Sequence, residues 1–145
     1  MISLERVNEQ NYQHVFALEL TNNQKGGVSS NMKSLAQAWI YYDRARPYAI
    51  RNDNDIIGFI MFDYKPSEKK AEIWRFMIGK DFQGKGYGTE ALSSAIRLLA
   101  NENLFSTIQI NYVKGNFPAK HLYEKLGFQE TGEMEENEIV MKLYL

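Results

Sequence analysis

The residues with the clearest chemistry lie between Met77 and Leu92. An apolar run ends at Ile78, glycines follow at Gly79, Gly84, Gly86 and Gly88, and a helical pattern takes over towards Ala91 and Leu92. Strand, glycine loop and helix together can hold a phosphate. Glycines let the backbone approach the ligand, and the first-turn N–H groups of a helix are free to bind an anion. Two general phosphate patterns each fail at one position. In G-x-x-x-x-G-K-[ST], Gly79, Gly84 and Lys85 fit, but Gly86 stands where a magnesium-binding hydroxyl is required. In G-x-G-x-x-G, Gly84 and Gly86 fit, but Thr89 stands at the third glycine. A third pattern, Q/R-x-x-G-x-G/A, is filled by Gln83, Gly86 and Gly88.

The elements that must position this loop follow from periodicity. Ile2, Leu4 and Val7 suggest a short strand. Asn8 can cap a helix with Tyr12, Val15, Phe16 and the Leu18/Leu20 region as its apolar stripe. Residues 22–30 read as a loop. A second helix, capped by Asn31 or a nearby serine, carries Leu35, Ala38, Trp39 and Tyr42 at helical spacing and ends near Arg44 to Pro47. Tyr48 to Arg51 and Ile56 to Phe62 flank Asn52 to Asp55 as a hairpin. Ala71 to Ile78 is the strand that feeds the glycine loop. The helix after the loop runs to about Asn101, and Ser106 to Val113 is a strand. Pro118 opens a helix that Gly127 closes. Phe128 to Met134 and Ile139 to Leu145 close the chain around an acidic run, Glu133 to Glu138, read as a solvated hairpin tip. The expected order is β-α-α-β-β-β-α-β-α-β-β. It predicts an α/β (α+β) fold with a mixed, mostly antiparallel sheet of six or seven strands and helices on both faces.

At 145 residues the chain fits one domain, with a core that needs neither metals nor disulfides. It has no cysteine, which excludes a thiolate nucleophile and cysteine metal sites, and its two histidines, His14 and His121, are too few for a histidine-rich metal centre. The net charge of −1 gives no argument for nucleic-acid or anionic-membrane binding. No apolar run approaches the roughly 20 residues needed to span a bilayer, and the start lacks a signal-peptide core. A cytoplasmic protein without metal, nucleic-acid or membrane partners is the expectation.

With Gln83, Gly86 and Gly88 in place, a second segment gains meaning. Asn116, Ala119, Tyr123, Gly127 and Phe128 stand in the register N-x-x-A-x-x-x-Y-x-x-x-G-F. The chain resembles the GNAT superfamily of acetyl-CoA-dependent N-acetyltransferases along essentially its whole length. The resemblance implies that backbone N–H groups of Gln83, Gly84, Lys85, Gly86, Tyr87, Gly88 and Thr89 bind the cofactor's pyrophosphate. It implies that Met77 and Ile78 pair their backbone with the pantetheine arm between splayed strands, that Asn116 contacts the cofactor from the far side, and that Tyr123 is the general acid. It also implies acetyl-CoA as co-substrate and, by analogy, a homodimer.

Acyl transfer from a thioester to an amine needs somewhere for the amine's proton to go and a donor for the departing sulfur. With no cysteine and no recognisable serine nucleophile, direct attack by the amine is the simpler route. A phenol with a pKa near 10 makes Tyr123 a suitable donor. Glu72 lies on the strand before the loop. Period two would place it on the face of Ile78, three alternate positions on, where it would act as base. A carboxylate in a cross-strand pair is the equally weighted reading.

Gln24, Val28, Ser30, Asn31, Ser34 to Ala38, Arg46-Pro47 and Glu72 to Ile78 together resemble the Gram-positive spermine/spermidine (diamine) acetyltransferases. Gly26-Gly27 departs from them. The implied acceptor is a polyamine, a cation that carboxylates and aromatic faces would recognise. Glu19, Asp43, Asp63 and Tyr64 are the candidates to line its cleft. Another amine (a protein N-terminus, an aminoglycoside or an amino acid) and a non-catalytic acyl-CoA-binding regulator remain as alternatives.

Overall fold

The longest strand explains the rest of the architecture. Residues 57–64 are all buried and, Asp63 apart, carry no charge, and a run of this kind belongs in the middle of a covered sheet. The computed structural model describes residues 1–21 and 30–145. Its elements are β1 (Ile2–Arg6), α1 (Tyr12–Ala17), α2 (Asn31–Ile40), β2 (Ala45–Asn52), β3 (Asp55–Lys65), β4 (Lys70–Ile78), α3 (Tyr87–Asn101), β5 (Thr107–Val113), α4 (Phe117–Lys125), β6 (Gln129–Glu135) and β7 (Glu138–Tyr144). They form one seven-stranded sheet in the order β1-β2-β3-β4-β5-β7-β6. Only β4 and β5 run parallel, and α3 is the crossover that a parallel pair requires. The mixed, mostly antiparallel sheet expected from the sequence is therefore found, with its element order.

Each face of β3 feeds its own core. Ile57, Ile60, Phe62 and Tyr64 pack with Leu92, Leu99 and Tyr123 under α3 and α4. Phe59 and Met61 pack with Val15, Leu18, Leu35 and Ala38 under α1 and α2. The aromatic stripe expected on α2 is only partly buried. Leu35 and Ala38 pack inward, whereas Trp39 is 76% exposed and Tyr42, beyond the helix end, 73%. The helix is capped by Ser30, whose Oγ accepts from the N–H of Lys33. Asn8 does not cap α1. It makes a tight turn before it, its Oδ1 accepting from the N–H groups of Gln10 and Asn11. No helix among the described residues is long and apolar enough to cross a membrane. Gln24, Val28 and the Gly26-Gly27 departure lie outside the described residues.

Two irregularities shape the middle of the sheet. The β4–β5 ladder joins Lys70–Ile73 to Thr107–Ile110 and then stops, so the ends of the two strands part. Opposite β3, Met61 pairs with Arg75 and Phe62 with Ile73, which leaves Trp74 as an extra residue. Such a bulge shifts the alternation by one. Ile73, Phe76 and Ile78 therefore share the α3/α4 face, and Trp74 and Met77 the other. Glu72, whose cross-strand partner is Asp63, lies on the α1/α2 face. The expectation that Glu72 and Ile78 share a face is corrected by this one residue.

Gly58 faces Ile78 across the ladder. A Cβ there would fall 2.5 Å from the Met77 carbonyl oxygen and 3.0 Å from Ile50 and Ile78 methyls. Gly58→Ala must move backbone, and a loss of about 1–3 kcal/mol in urea unfolding is expected. A change within about 0.5 kcal/mol would contradict this packing.

Candidate active site

The glycine loop is built around two left-handed residues. Gly84 has φ 76° and Gly86 φ 82°. A non-glycine residue adopts such angles only with strain. No heavy atom lies within 4 Å of where a Cβ would stand at either, so both line open space. Gly86 is the N-cap of the fifteen-residue α3 and carries no capping side chain, so the first-turn N–H groups have no side-chain acceptor from it. Gly88 differs from these two, and its packing leaves room for a methyl. A Cβ there would sit 3.7–3.9 Å from Phe76, Leu122 and Ile78, in ordinary contact. Gln83 ties the loop to the strand: its Nε2 donates to the Ile78 carbonyl at 2.9 Å. The Tyr87 hydroxyl accepts from Asn52 Nδ2, Lys85 is exposed, and Thr89 is half-buried.

The strand end presents Ile78 rather than Met77 to the gap. The Gly79 N–H donates to the Ile57 carbonyl, so that residue's backbone is turned to β3. By alternation Met77 also turns its N–H and C=O to β3, and Ile78 turns its own towards the parted β5. Only Ile78 therefore fits the backbone role expected of the pair. The Met77 side chain lies on the α1/α2 face, with Asn31 Nδ2 3.8 Å from its sulfur. Asn116 is the N-cap of α4, its Oδ1 accepting from the Ala119 N–H at 3.3 Å.

The gap is flanked by different chemistry on its two faces. On the α3/α4 face, Tyr123 follows Leu122, the residue that abuts Gly88. Tyr123 is buried, with its ring 6.2 Å from that of Phe128. Burial, reinforced by the charge of Glu138, pushes its phenol up to about 12, so it stays protonated. On the α1/α2 face lies a cleft of about 270 Å³ lined by Glu72, Ile73, Trp74, Arg75, Asn111, Glu135, Glu136 and Glu138. Four carboxylates face one guanidinium there. Burial raises the Glu72 carboxyl above its ordinary range, Glu135 and Asp63 add to the rise, and Lys65 and Lys70 oppose it. Lys65 Nζ lies 3.8 Å from both Glu72 and Asp63. Arg75 donates to the Trp74 carbonyl and to Gln37 Oε1 on α2, both at 2.9 Å.

A glycine loop opening a helix, a gap in the sheet beside it, and a phenol and a carboxylate on opposite faces suit acyl transfer. A model of the Acetyltransferase (GNAT) family matches residues 11–128. The chain belongs to the GNAT acetyltransferase family. It is 30% identical over 144 residues to a probable spermine N(1)-acetyltransferase of Bacillus subtilis subsp. natto, across 94% of this chain and 93% of that one. It is 29% identical, with the same coverage, to the spermine/spermidine N(1)-acetyltransferase of Bacillus subtilis strain 168. A Vibrio cholerae spermidine N-acetyltransferase, solved with CoA and spermine, shares the fold with a TM-score of 0.79 at 19% identity, covering 99% of this chain and 94% of that one.

As a GNAT N-acetyltransferase, the protein keeps some expected site residues together and disperses others. Gln83 bonds to Ile78 where the strands part, and the loop to Thr89 leads into α3. Tyr123 lies in the α3/α4 core, and Glu72, still paired with Gln109, lines the cleft on the other face. Tyr64 does not line that cleft: it pairs with Ala71 on the α3/α4 face and donates to Glu102 Oε1 at 3.1 Å. Asp63 is buried on the other face and held by Arg44, whose Nε is 3.2 Å away. These two neighbours point to opposite sides and cannot line one cleft. Asp43 sits in the exposed turn after α2. Glu19 pairs with Lys80 at 2.7 Å beside a separate hollow lined by His14, Leu18 and Phe82. The carboxylates that do join Glu72 are Glu135, Glu136 and Glu138, from the run expected to be a solvated hairpin tip. The signal was available in part: Gln109 and Asn111 are polar at alternate positions of β5 and face that same hairpin.

Two glycine substitutions separate cradle from packing. Gly86→Ala adds a methyl in the cradle and strains a left-handed residue by about 1 kcal/mol. Its coenzyme A affinity by calorimetry is expected to fall about tenfold or more. Gly88→Ala is expected to stay within about threefold of wild type. Equal affinities for Gly86→Ala and wild type would contradict the cradle.

Proposed function

We propose that this N-acetyltransferase moves an acetyl group from acetyl-CoA to a primary amine of spermine or spermidine. The observation that carries the reading is the acidic cleft behind the gap, on the face opposite Tyr123 and the α3 N-terminus. A polycation gains from several carboxylates in one recess. The Bacillus relatives that are spermine acetyltransferases support the same acceptor.

The residues fit the cofactor. Gly84 and Gly86 leave the cradle open, and the α3 N-terminus offers N–H groups to a pyrophosphate. Acetyl-CoA supplies an activated acetyl thioester. The Ile78 backbone, held by Gln83, offers hydrogen bonds inside the gap. Glu72 accepts the proton that the attacking amine must lose. Burial raises its pKa, and that makes it a better base than an ordinary carboxylate. Tyr123 keeps a proton at its hydroxyl on the leaving-group side through the working pH range.

An amine panel tests the acceptor. Spermine and spermidine are expected to be turned over in preference to monoamines and peptide N-termini. Turnover of a peptide without turnover of either polyamine overturns the reading. Tyr123→Phe is expected to lower kcat about 10²-fold or more while acetyl-CoA still binds. Unchanged turnover would remove Tyr123 as the acid. The base must be ionised to act, so kcat at saturating amine falls as pH drops through the raised Glu72 pKa. Glu72→Gln is expected to lower kcat by a similar factor and to abolish that acid limb. An acid limb that persists in Glu72→Gln would assign the base elsewhere.

A further inference from the structure

Gln109 is one of the few fully buried polar side chains and lies beneath the acidic cleft rather than in its wall. A buried amide is tolerated only when its donors and acceptor are used. Here its Oε1 accepts from Lys70 Nζ at 3.1 Å. Its Nε2 donates to Asn111 Oδ1 at 3.1 Å and to Glu135 Oε1 at 2.9 Å. An ammonium on one side and a carboxylate on the other allow only this orientation of the amide. Gln109 thus links the start of β4, through β5, to the end of β6. Asn111 adds a second hold, its Nδ2 lying 3.3 Å from Glu138 Oε1. These contacts, with a longer one of 3.5 Å from Asn111 Nδ2 to Glu135 Oε2, draw Glu135 in from an exposed hairpin.

We propose that Gln109 is a positioning residue of the amine site: by fixing the Glu135 carboxylate towards Glu72 it makes an exposed hairpin acid part of the acceptor's anionic wall. The inference rests on reading this cleft as the amine site. The charged groups that face Glu72 are Asp63 and Lys65 from β3, Lys70 and Arg75 from β4, and Glu135, Glu136 and Glu138 from the β6–β7 hairpin. Glu135 is one of those that raise the Glu72 pKa, so the position of Glu135 can be read at Glu72.

The test follows the Glu72 carboxyl carbon by NMR titration of the ligand-free protein. In Gln109→Leu, Glu135 leaves the cleft, and the proton affinity of Glu72 is expected to fall about threefold or more. Gln109→Asn, still polar but one methylene too short to span, gives the same fall and serves if the leucine variant does not fold. Glu135→Gln reproduces the fall, and adding Gln109→Leu to it changes nothing further, because Gln109 acts through Glu135. With turnover as a second readout, both Gln109 variants raise KM for spermidine about fivefold or more while the acetyl-CoA Kd is unchanged. A folded Gln109 variant with the wild-type Glu72 titration overturns the positioning role, as does full additivity with Glu135→Gln. Failure of the wild type to acetylate any polyamine overturns the acceptor reading instead and leaves the titration result standing.

Discussion

The structure depends on a ladder that stops. Beyond Ile73 and Ile110 the parallel strands β4 and β5 no longer pair, although each continues to pair with its outer neighbour, β4 with β3 past the bulge at Trp74 and β5 with β7. Backbone groups that face such a gap need another partner. Gln83 supplies one, at the Ile78 carbonyl. The remaining donors and acceptors on this edge offer what an extended ligand arm would use, in the manner of an added strand. The gap also sets where everything else must be. The chain leaves β4 at its mouth and turns through Gly84 and Gly86. It then enters α3, whose N-terminus lies beside the opening.

The two faces of the gap are chemically unlike because the sheet separates them. The α3/α4 side is apolar around Tyr123, and burial keeps that phenol protonated. The α1/α2 side gathers carboxylates from β4 and from the β6–β7 hairpin, partly balanced by Lys65, Lys70 and Arg75. Desolvation is the main cause of the raised Glu72 pKa, Lys65 and Lys70 oppose it, and the like charges of Glu135 and Asp63 add their repulsion. A bound polycation would relieve it. In the proposed mechanism the same recess of carboxylates would both attract the cationic acceptor and hold Glu72 as the base.

The fold was legible where local pattern and tertiary demand agree. The hairpins, the glycine loop, α3 and the helix between Pro118 and Gly127 follow from alternation, turn residues and caps, and the structure keeps them. The bulge at Trp74 had no such marker. One extra residue in an apolar strand looks like any other, yet it moves Glu72 to the opposite face from Ile78. The acidic cleft was hidden for a different reason. Glu72 and Glu135 are far apart in sequence and meet only through a sheet order in which β6 follows β7 at one edge. Tyr64 and Asp63 were misplaced because adjacent strand residues were assigned to one cleft, which alternation forbids. Trp39 and Tyr42 have helical spacing, but α2 ends at Ile40 and its buried side is already filled by Leu35 and Ala38.

The central claim is that a cofactor from one face and a cationic amine from the other meet through this gap. A spermine–coenzyme A conjugate joined at the acyl position tests it in one binding titration. The account predicts that the conjugate binds about 10²-fold or more tightly than coenzyme A alone. It also predicts that Glu72→Gln with Glu135→Gln removes most of that advantage and leaves coenzyme A affinity unchanged. A conjugate that binds no better than coenzyme A, or whose advantage survives loss of both carboxylates, would contradict it.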